Sequence, residues 1–313
     1  MAGTPGRSTG KGCTALAVRI IINPIAGQGR ALSVWSQVEP LLAAKGIDYQ
    51  AIYTTAPCHA TELAAESLAR GFDTVAVLAG DGTIHEAVNG LTGTGAKLCV
   101  IPGGRGNDLA RTMRIPREGR AAASLLWCGR ARPMDLGLAN GEYFFNVGGV
   151  GFDAEVAAAV NRGRIFINGT VTYIVYVLKL LLTYRPVAAR LTLDGHSWSQ
   201  KLFLAAVGNG QYLGGGMKVA PNADPNDGLF DVVVAGDLSK PEALQALSRV
   251  YSGKHVELPK VKSYRGRLFT IEAERPLSLE ADGEVIGTVP VKFEVAPGAL
   301  SILVPAPGDE GES

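Results

Sequence analysis

The stretch Val75-Ala76-Val77-Leu78-Ala79-Gly80-Asp81-Gly82-Thr83, followed by Ile84-His85-Glu86-Ala87-Val88-Asn89-Gly90-Leu91, restricts the possible folds more than any other. A short, valine-rich apolar run reads as a buried strand. Gly80 and Gly82 break it with a turn that lets the backbone approach a ligand closely. Thr83 then opens an amphipathic helix whose apolar residues fall at Ile84, Ala87, Val88 and Leu91. A strand, a glycine turn and a helix start aim free amide donors and the positive end of a helix dipole at an anion. The same signal also describes an ordinary strand-to-helix turn of an α/β protein, so the neighbouring loops carry the decision.

Those loops repeat the pattern. Apolar strands are predicted at residues 15–22, 48–53, 74–78 and 97–101. Helices follow at 31–45, ended by Gly46, at 59–70, ended by Gly71, and at 109–113. Repeated strand-helix units predict a Rossmann-like parallel sheet, a nucleotide-binding α/β domain over residues 14–134. Ligands of such sheets lie off the carboxyl ends of the strands. Three loops leave at that edge. One carries Asn23, Pro24, Gly27 and Gly29, one carries Gly80 to Thr83, and one carries Gly104, Arg105 and Asn107. A ligand touched by all three is long and polyanionic, as a nucleoside triphosphate is. No GxxxxGK[ST] phosphate loop occurs, and Gly27-Gln28-Gly29 lacks the third glycine of a dinucleotide fingerprint. Asp81 is the odd group in an anion cradle. A carboxylate beside phosphates implies a cation such as Mg²⁺ between them, although an aspartate there also suits capping of its helix.

The pattern changes near residue 135. Short strands are predicted at 135–138 and 143–147, around the Asn140-Gly141 turn, then a helix at 155–160 and an apolar, helical segment at 171–184 ending before Pro186. From residue 188 the chain alternates in period two, with hairpin signals at Asp194-Gly195, Asp227-Gly228 and Asp282-Gly283. Residues 135–290 therefore read as a mainly antiparallel β-sandwich domain with a helical insertion, and residues 291–304 as strands that return to the first domain. The tails, 1–13 and 305–313, read as disordered. Residues 1–12 lack the apolar core of a secretory signal. With 47% hydrophobic and 19% charged residues the chain is globular, and a formal net charge of +1 excludes a global field for nucleic acid. Its four cysteines form no CxxC pair, which suits reduced thiols in the cytoplasm. The longest apolar run, 171–182, is too short to cross a bilayer and carries Lys179.

Two acidic turns lie in the second half. Asp224, Asp227 and the Leu229 carbonyl can hold a hard cation. Asp282 can accept a proton from an attacking hydroxyl while Glu284 reaches a metal or nucleotide. Each also reads as a plain turn, since Asp, Asn, Pro and Gly dominate turns.

Seven motifs occur in order: Asn23-Pro24 with Ala26-Gly27; Ala79-Gly80-Asp81-Gly82-Thr83; Pro102 through Asn107-Asp108-Leu109-Ala110-Arg111; Gly151-Phe152-Asp153-Ala154; Gly214-Gly215-Gly216-Met217 with Pro221; Asp227-Gly228; and Asp282-Gly283-Glu284. Together, over residues 18–304, they resemble the bacterial diacylglycerol kinase and lipid kinase family, related to eukaryotic diacylglycerol and sphingosine kinases. The resemblance implies an ATP- and Mg²⁺-dependent lipid kinase with nucleotide in the interdomain cleft, phosphorylating diacylglycerol to phosphatidic acid at a membrane surface. Such an enzyme is cytoplasmic and peripherally membrane-associated, and a homodimer is left open. It further implies that Asn23, Pro24, Gly27, Thr54, Gly80, Asp81, Gly82, Thr83, Glu86, Gly104, Arg105 and Asn107 contact ATP or its Mg²⁺. Asp282 would be the catalytic base and Glu284 a nucleotide or metal contact, and Asp224, Asp227 and Leu229 would hold a second, structural Mg²⁺.

Departures and rivals follow from the same motifs. Alanine stands at 79 where the family pattern has glycine, and Arg105 replaces a threonine. Arg105 can clamp phosphate or point to solvent, and Arg111 can meet phosphate or a helix C-terminus. For the acyl chains, Phe152, Ile165, Phe166, Tyr173, Ile174, Val177 and Tyr212 are candidates that equally suit a core. Arg162, Arg164, Lys179 and Arg185 suit lipid head groups or a solvated face. Kinases of sphingosine, ceramide or phosphatidylglycerol are alternatives, then an NAD kinase-like enzyme, which the missing Asn-Asn-Glu disfavours. A non-catalytic nucleotide- or lipid-binding protein is disfavoured by Asp282-Gly283-Glu284.

Overall fold

The computed structural model describes residues 17–162 and 170–306. The first half is the expected alternation. Strands β1 (Ala17–Ile22), β2 (Asp48–Tyr53), β3 (Thr74–Ala79) and β4 (Lys97–Pro102) are parallel, in the order β2-β1-β3-β4. Helices α1 (Arg30–Ala44), α2 (His59–Ala65), α3 (Asp81–Leu91), α4 (Asp108–Thr112) and α5 (Gly119–Cys128) cover them. Every residue of β3 is buried, as a run of valine, alanine and leucine after Thr74, without polar alternation, requires of a strand covered on both faces. Helix α2 stops short of its predicted end. Ser67 Oγ bonds back to the Leu63 carbonyl at 2.7 Å, and the Arg70 N–H is shared between the Glu66 and Ser67 carbonyls, which tightens the last turn. Helix α5 is missing from the sequence reading. Its start is marked by a glutamate, a weaker signal than Ser or Asn, whose carboxylate accepts the Arg120 and Ala121 N–H groups.

The second half contains β5 (Arg130–Ala139), β6 (Glu142–Phe144), β7 (Val147–Gly151), α6 (Phe152–Arg162), α7 (Thr170–Thr183), β8 (Val187–Leu193), β9 (His196–Leu202), β10 (Leu204–Gly208), β11 (Phe230–Ala235), α8 (Lys240–Arg249), β12 (Val261–Gly266), β13 (Leu268–Ala273), β14 (Ser278–Ala281), β15 (Glu284–Thr288) and β16 (Val291–Val304). An antiparallel sheet of order β12-β11-β10-β7-β14-β15 packs on β13, β8 and β9. Phe144, Phe230, Phe269 and Phe293 fill the space between, with Phe144 stacked on Phe230 at 5.8 Å between ring centroids. The outer face of that sheet is covered by α6, α7 and α8 through Phe152, Val156, Leu181 and Ala243. Helix α8 interrupts the period-two pattern expected there. A capping box between Ser239 and Glu242 and a proline in its first turn start it.

Strand β16 joins the halves. Predicted as two strands, it is one, bulged between Ala296 and Leu300. Its first part pairs antiparallel with β13, Phe293 opposite Phe269, and its last part pairs parallel with β4, Ser301 opposite Lys97. The parallel sheet thus continues through β16 into the sandwich as one ten-stranded sheet.

Candidate active site

The three glycine loops meet at the carboxyl edge of β1, β3 and β4, in contact with one another. A Cβ on Gly27, whose φ is +59°, would lie 2.4 Å from the Gly103 carbonyl, and one on Gly104 would lie 2.5 Å from Gly80 Cα. Only glycines let these backbones approach so closely. Asn23 joins the first loop to the second, its Nδ2 donating to Thr83 Oγ1 at 2.8 Å and its Oδ1 accepting the Ile25 N–H at 3.1 Å. Asn107 locks the third, at φ +53°, with its amide bonded both ways to the Gly104 backbone at 3.0 Å. Pro24 is partly buried beside them, and Thr54 is held by its N–H on the Ile22 carbonyl at 2.9 Å. Glu86 is engaged elsewhere, since its carboxylate accepts the Ala60 N–H at the start of α2. Arg105 is exposed on the rim of a cavity. Arg111 takes a third role, pairing with Asp108 at 2.6 Å and lying over the Tyr212 ring at 5.7 Å.

Asp81 is the first residue of α3. Its Oδ1 accepts the Asp108 N–H at 2.7 Å, so the start of α4 is held on it. Burial, helped by the Asp108 charge, pushes its carboxyl up to about 6 against the pull of the backbone amides. Asp108 in turn accepts the Gly215 N–H at 2.7 Å, which docks the Gly214-Gly215-Gly216 loop here.

The hairpin turn between β14 and β15 brings the second half to the same place. Asp282, at φ +52°, accepts the N–H groups of Phe145, Asn146 and Val147 at 2.9, 2.9 and 3.2 Å. His85 Nδ1, on α3, stands 3.1 Å from Asp282 Oδ2. Burial opposes charge on His85, but its bond to Asp282 and the charges of Asp282, Glu142 and Glu284 outweigh it and raise the imidazole. Glu284 is exposed, its side chain has no hydrogen-bond partner among the described residues, and a Cβ on Gly82 would lie 3.3 Å from its Oε1. Desolvation raises its carboxyl, His85 lowers it and Glu86 raises it, for a net rise.

His85 and Asn89 were missed from sequence. Asn89 exchanges hydrogen bonds with the Tyr143 backbone at 2.8 and 2.9 Å and so ties α3 to β6. Their one signal was spacing, because residues 81, 85 and 89 share a helix face.

Asp224, Asp227 and Leu229 lie together in the turn before β11. Asp224 Oδ1 accepts the Asn226 N–H at 3.1 Å, Asp227 Oδ1 accepts the Leu229 N–H at 3.0 Å, and Asp227 Oδ2 pairs with Arg265. A cation fits only where Arg265 yields, and its side chain, 51% exposed, has room to swing away. Asp81 is a buried carboxyl whose Oδ1 accepts the Asp108 and Leu109 N–H groups, so a cation there would share it with backbone amides, and among the described residues no three acidic, His or Cys side chains converge on a metal site.

Beside Asp81 and Asp282 opens a cavity of about 730 Å³. Val156, Val177, Leu181, Leu213, Leu247 and Val250 make its wall apolar, and Asp81, Asp153, Glu280 and Asp282 gather among its polar groups. Of the predicted acyl-chain residues, Phe152 and Val177 line it. Tyr212 lies under Arg111 instead. Ile165, Phe166, Arg164 and the side chains of Arg162, Tyr173 and Ile174 lie outside the described residues, as do residues 1–16 and 307–313. Among the described residues no helix is long and apolar enough to cross a membrane, and Cys58, Cys99 and Cys128 are free thiols.

This arrangement has relatives. The profile of the diacylglycerol kinase catalytic domain matches residues 17–139, and that of the YegS C-terminal NAD kinase beta sandwich-like domain matches residues 146–304. A diacylglycerol kinase of Mycobacterium tuberculosis (strain ATCC 25618 / H37Rv) is 34% identical, over 93% of this chain and 96% of that protein. One from Bacillus subtilis (strain 168) is 31% identical, over 88% of this chain and 92% of that protein. The crystal structure of a diacylglycerol kinase from Bacillus anthracis str. Sterne superposes with a TM-score of 0.73 at 26% identity, covering 95% of this chain and 99% of that one. The chain belongs to the diacylglycerol kinase and lipid kinase family. It is a lipid kinase, and membership of a kinase family implies that it uses ATP.

Proposed function

We propose that this kinase transfers the γ-phosphoryl group of ATP to the free hydroxyl of diacylglycerol, yielding phosphatidic acid and ADP. The observation that carries the reading is the contact between the hairpin turn at Asp282 and the helix that begins at Asp81, at the edge of an apolar cavity. Amides of the three glycine loops, with Asn23, Thr54 and Thr83 around them, form the triphosphate cradle, and Arg105 can close over its outer end. Asp81 would hold Mg²⁺, which when bound neutralises phosphate charge, and Asp224, Asp227 and the Leu229 carbonyl would hold a second, structural ion. The acyl chains occupy the apolar cavity. Its wall disfavours NAD as acceptor, since a second nucleotide is polar throughout.

The base assignment changes. Asp282 has two oxygens with four acceptor positions, and three amides and His85 take all four. It has no lone pair left for a substrate proton, so its role is to fix the turn. Among the described residues the Glu284 side chain has no hydrogen-bond partner, and its raised carboxyl lies beside Gly82, which suits a general base. Glu284 takes the hydroxyl proton as oxygen attacks phosphorus in line, while the loops orient the phosphates.

Transfer of labelled phosphate from ATP to diacylglycerol, with phosphatidylglycerol, sphingosine, ceramide and NAD in parallel, tests the reading, and label only in NAD would overturn it. Glu284→Gln should lower turnover by ~10²–10⁴ with the fold intact. Asp282→Asn should lower the thermal midpoint as well, because an amide nitrogen then faces backbone donors. Full turnover in Glu284→Gln would remove the base.

A further inference from the structure

Two carboxylates on the cavity wall have no part in the chemistry above. Gly149 lies in the middle of β7, paired with Glu280 of β14, and Asp153 is the second residue of α6. A Cβ on Gly149 would lie 2.3 Å from Asp153 Oδ2 and 2.5 Å from Glu280 Oε1, so the two oxygens converge over a residue that has no side chain. Each acid has one oxygen satisfied, Asp153 Oδ1 by the Ala154 N–H at 2.9 Å and Glu280 Oε2 by the Gly283 N–H at 2.6 Å. The converging pair is buried and has no hydrogen-bond partner. Glu280 is 1% exposed.

Among the described residues no lysine or arginine pairs with either acid. Among the described residues the basic side chains on the cavity wall are Arg105 and His255; Arg105 is at the solvent-exposed rim, and His255 is lowered by burial, partly offset by its bond to the Val219 carbonyl. Two like charges that meet in a dry place without a cation are relieved by a proton held between them. Desolvation raises both carboxyls, and on Glu280 the Asp153 charge adds to it. Such a pair destabilises the fold relative to apolar residues of the same size, so it calls for a reason other than stability.

We propose that Asp153 and Glu280 are the head-group anchor of the apolar cavity, selecting an acceptor lipid whose head is uncharged and donates hydrogen bonds over one whose head is anionic. The inference rests on the lipid-kinase reading and adds to it the class of lipid. With acyl chains against Val156, Leu181 and Leu247, the head meets the unpartnered oxygens of Asp153 and Glu280. A glycerol hydroxyl finds acceptors in this end of the cavity. A phosphodiester finds repulsion there.

The test uses the full chain as wild type, Asp153→Asn, Glu280→Gln and the double variant, with diacylglycerol and phosphatidylglycerol in mixed micelles. Loss of one hydrogen bond to a charged group should raise KM for diacylglycerol by about tenfold or more, beyond any fall in kcat. The preference for diacylglycerol over phosphatidylglycerol in kcat/KM should shrink by a similar factor, most in the double variant. Unchanged KM and unchanged preference, in variants that are folded and more heat-stable, would reduce the pair to a structural feature and overturn the proposal. Binding of dioctanoylglycerol without ATP, followed calorimetrically, separates the two readings. Should the wild type phosphorylate no lipid, the kinase reading falls, and dioctanoylglycerol affinity lowered in Glu280→Gln, or not, still decides the anchor.

Discussion

Asp81 is held in a form that costs stability. Burial, and then the Asp108 charge, push its carboxyl up to about 6 from an ordinary value of 3.8. The folded state therefore binds the proton more tightly, and stability falls as pH rises from the ordinary value toward the raised one. Asp81→Asn keeps the oxygen that accepts the Asp108 N–H and removes the charge. It should raise unfolding free energy at neutral pH by about 1–3 kcal/mol while losing turnover, as measured by denaturant titration and phosphate transfer. A variant no more stable than wild type at neutral pH would contradict the desolvation argument. His85 has the opposite sign, because its raised value means that the folded state favours the imidazolium beside Asp282. Its contribution is complete below the ordinary histidine range and is lost as pH rises through the raised value. The midpoint gap between wild type and His85→Gln should therefore be widest in mild acid and narrow toward alkaline pH. The sequence made Asp81 legible because a carboxylate stands out among glycines. It could not make Asp282 legible as a fixed group, because the amides of Phe145, Asn146 and Val147 reach it from more than a hundred residues away.

Among the elements, those with a local period were readable. Strands β1, β3 and β4 are apolar runs, broken in β1 by Arg19 and opened by Thr74 in β3 and Lys97 in β4, and α3 has a clear apolar stripe, so they fall close to where the pattern puts them. Helices α5 and α8 were not readable: the first starts on a glutamate, and the second is a short polar helix with one fully buried side chain, Ala243. Helix α8 matters at the cavity. Lys240, in its first turn, donates to the Tyr184 carbonyl just after α7, so the two helices flank the same opening. Leu182 on α7 is 74% exposed and Leu244 on α8 is 50% exposed, and Tyr251, also exposed, lines the cavity. If the apolar cavity takes lipid, as proposed, exposed apolar groups on these helices suit insertion into the head-group layer of a bilayer. Leu182→Asp with Leu244→Asp should weaken sedimentation with anionic liposomes several-fold while leaving turnover of micellar dioctanoylglycerol nearly intact. Equal sedimentation of both proteins would rule that face out.

At the scale of the molecule, β16 makes the two halves one cooperative object. Remove it and β4 and β13 both lose a partner, and Phe293 leaves the ring cluster between the sheets. A chain ending at residue 290 should therefore fail to fold in either half, and the intact chain should show one calorimetric transition without nucleotide. Two well-separated transitions would show that the halves are independent. That 291–304 is strand was legible from its alternation. That it is continuous, and belongs to both halves, depends on pairing with partners far away in the chain. The same strand governs how the protein is made. Lys97 leaves the ribosome about two hundred residues ahead of its neighbour Ser301, a delay of roughly 10–40 s at ordinary elongation rates. For that interval the nascent chain presents an unpaired apolar sheet edge, which makes β4 the place where a holding chaperone would engage the emerging polypeptide.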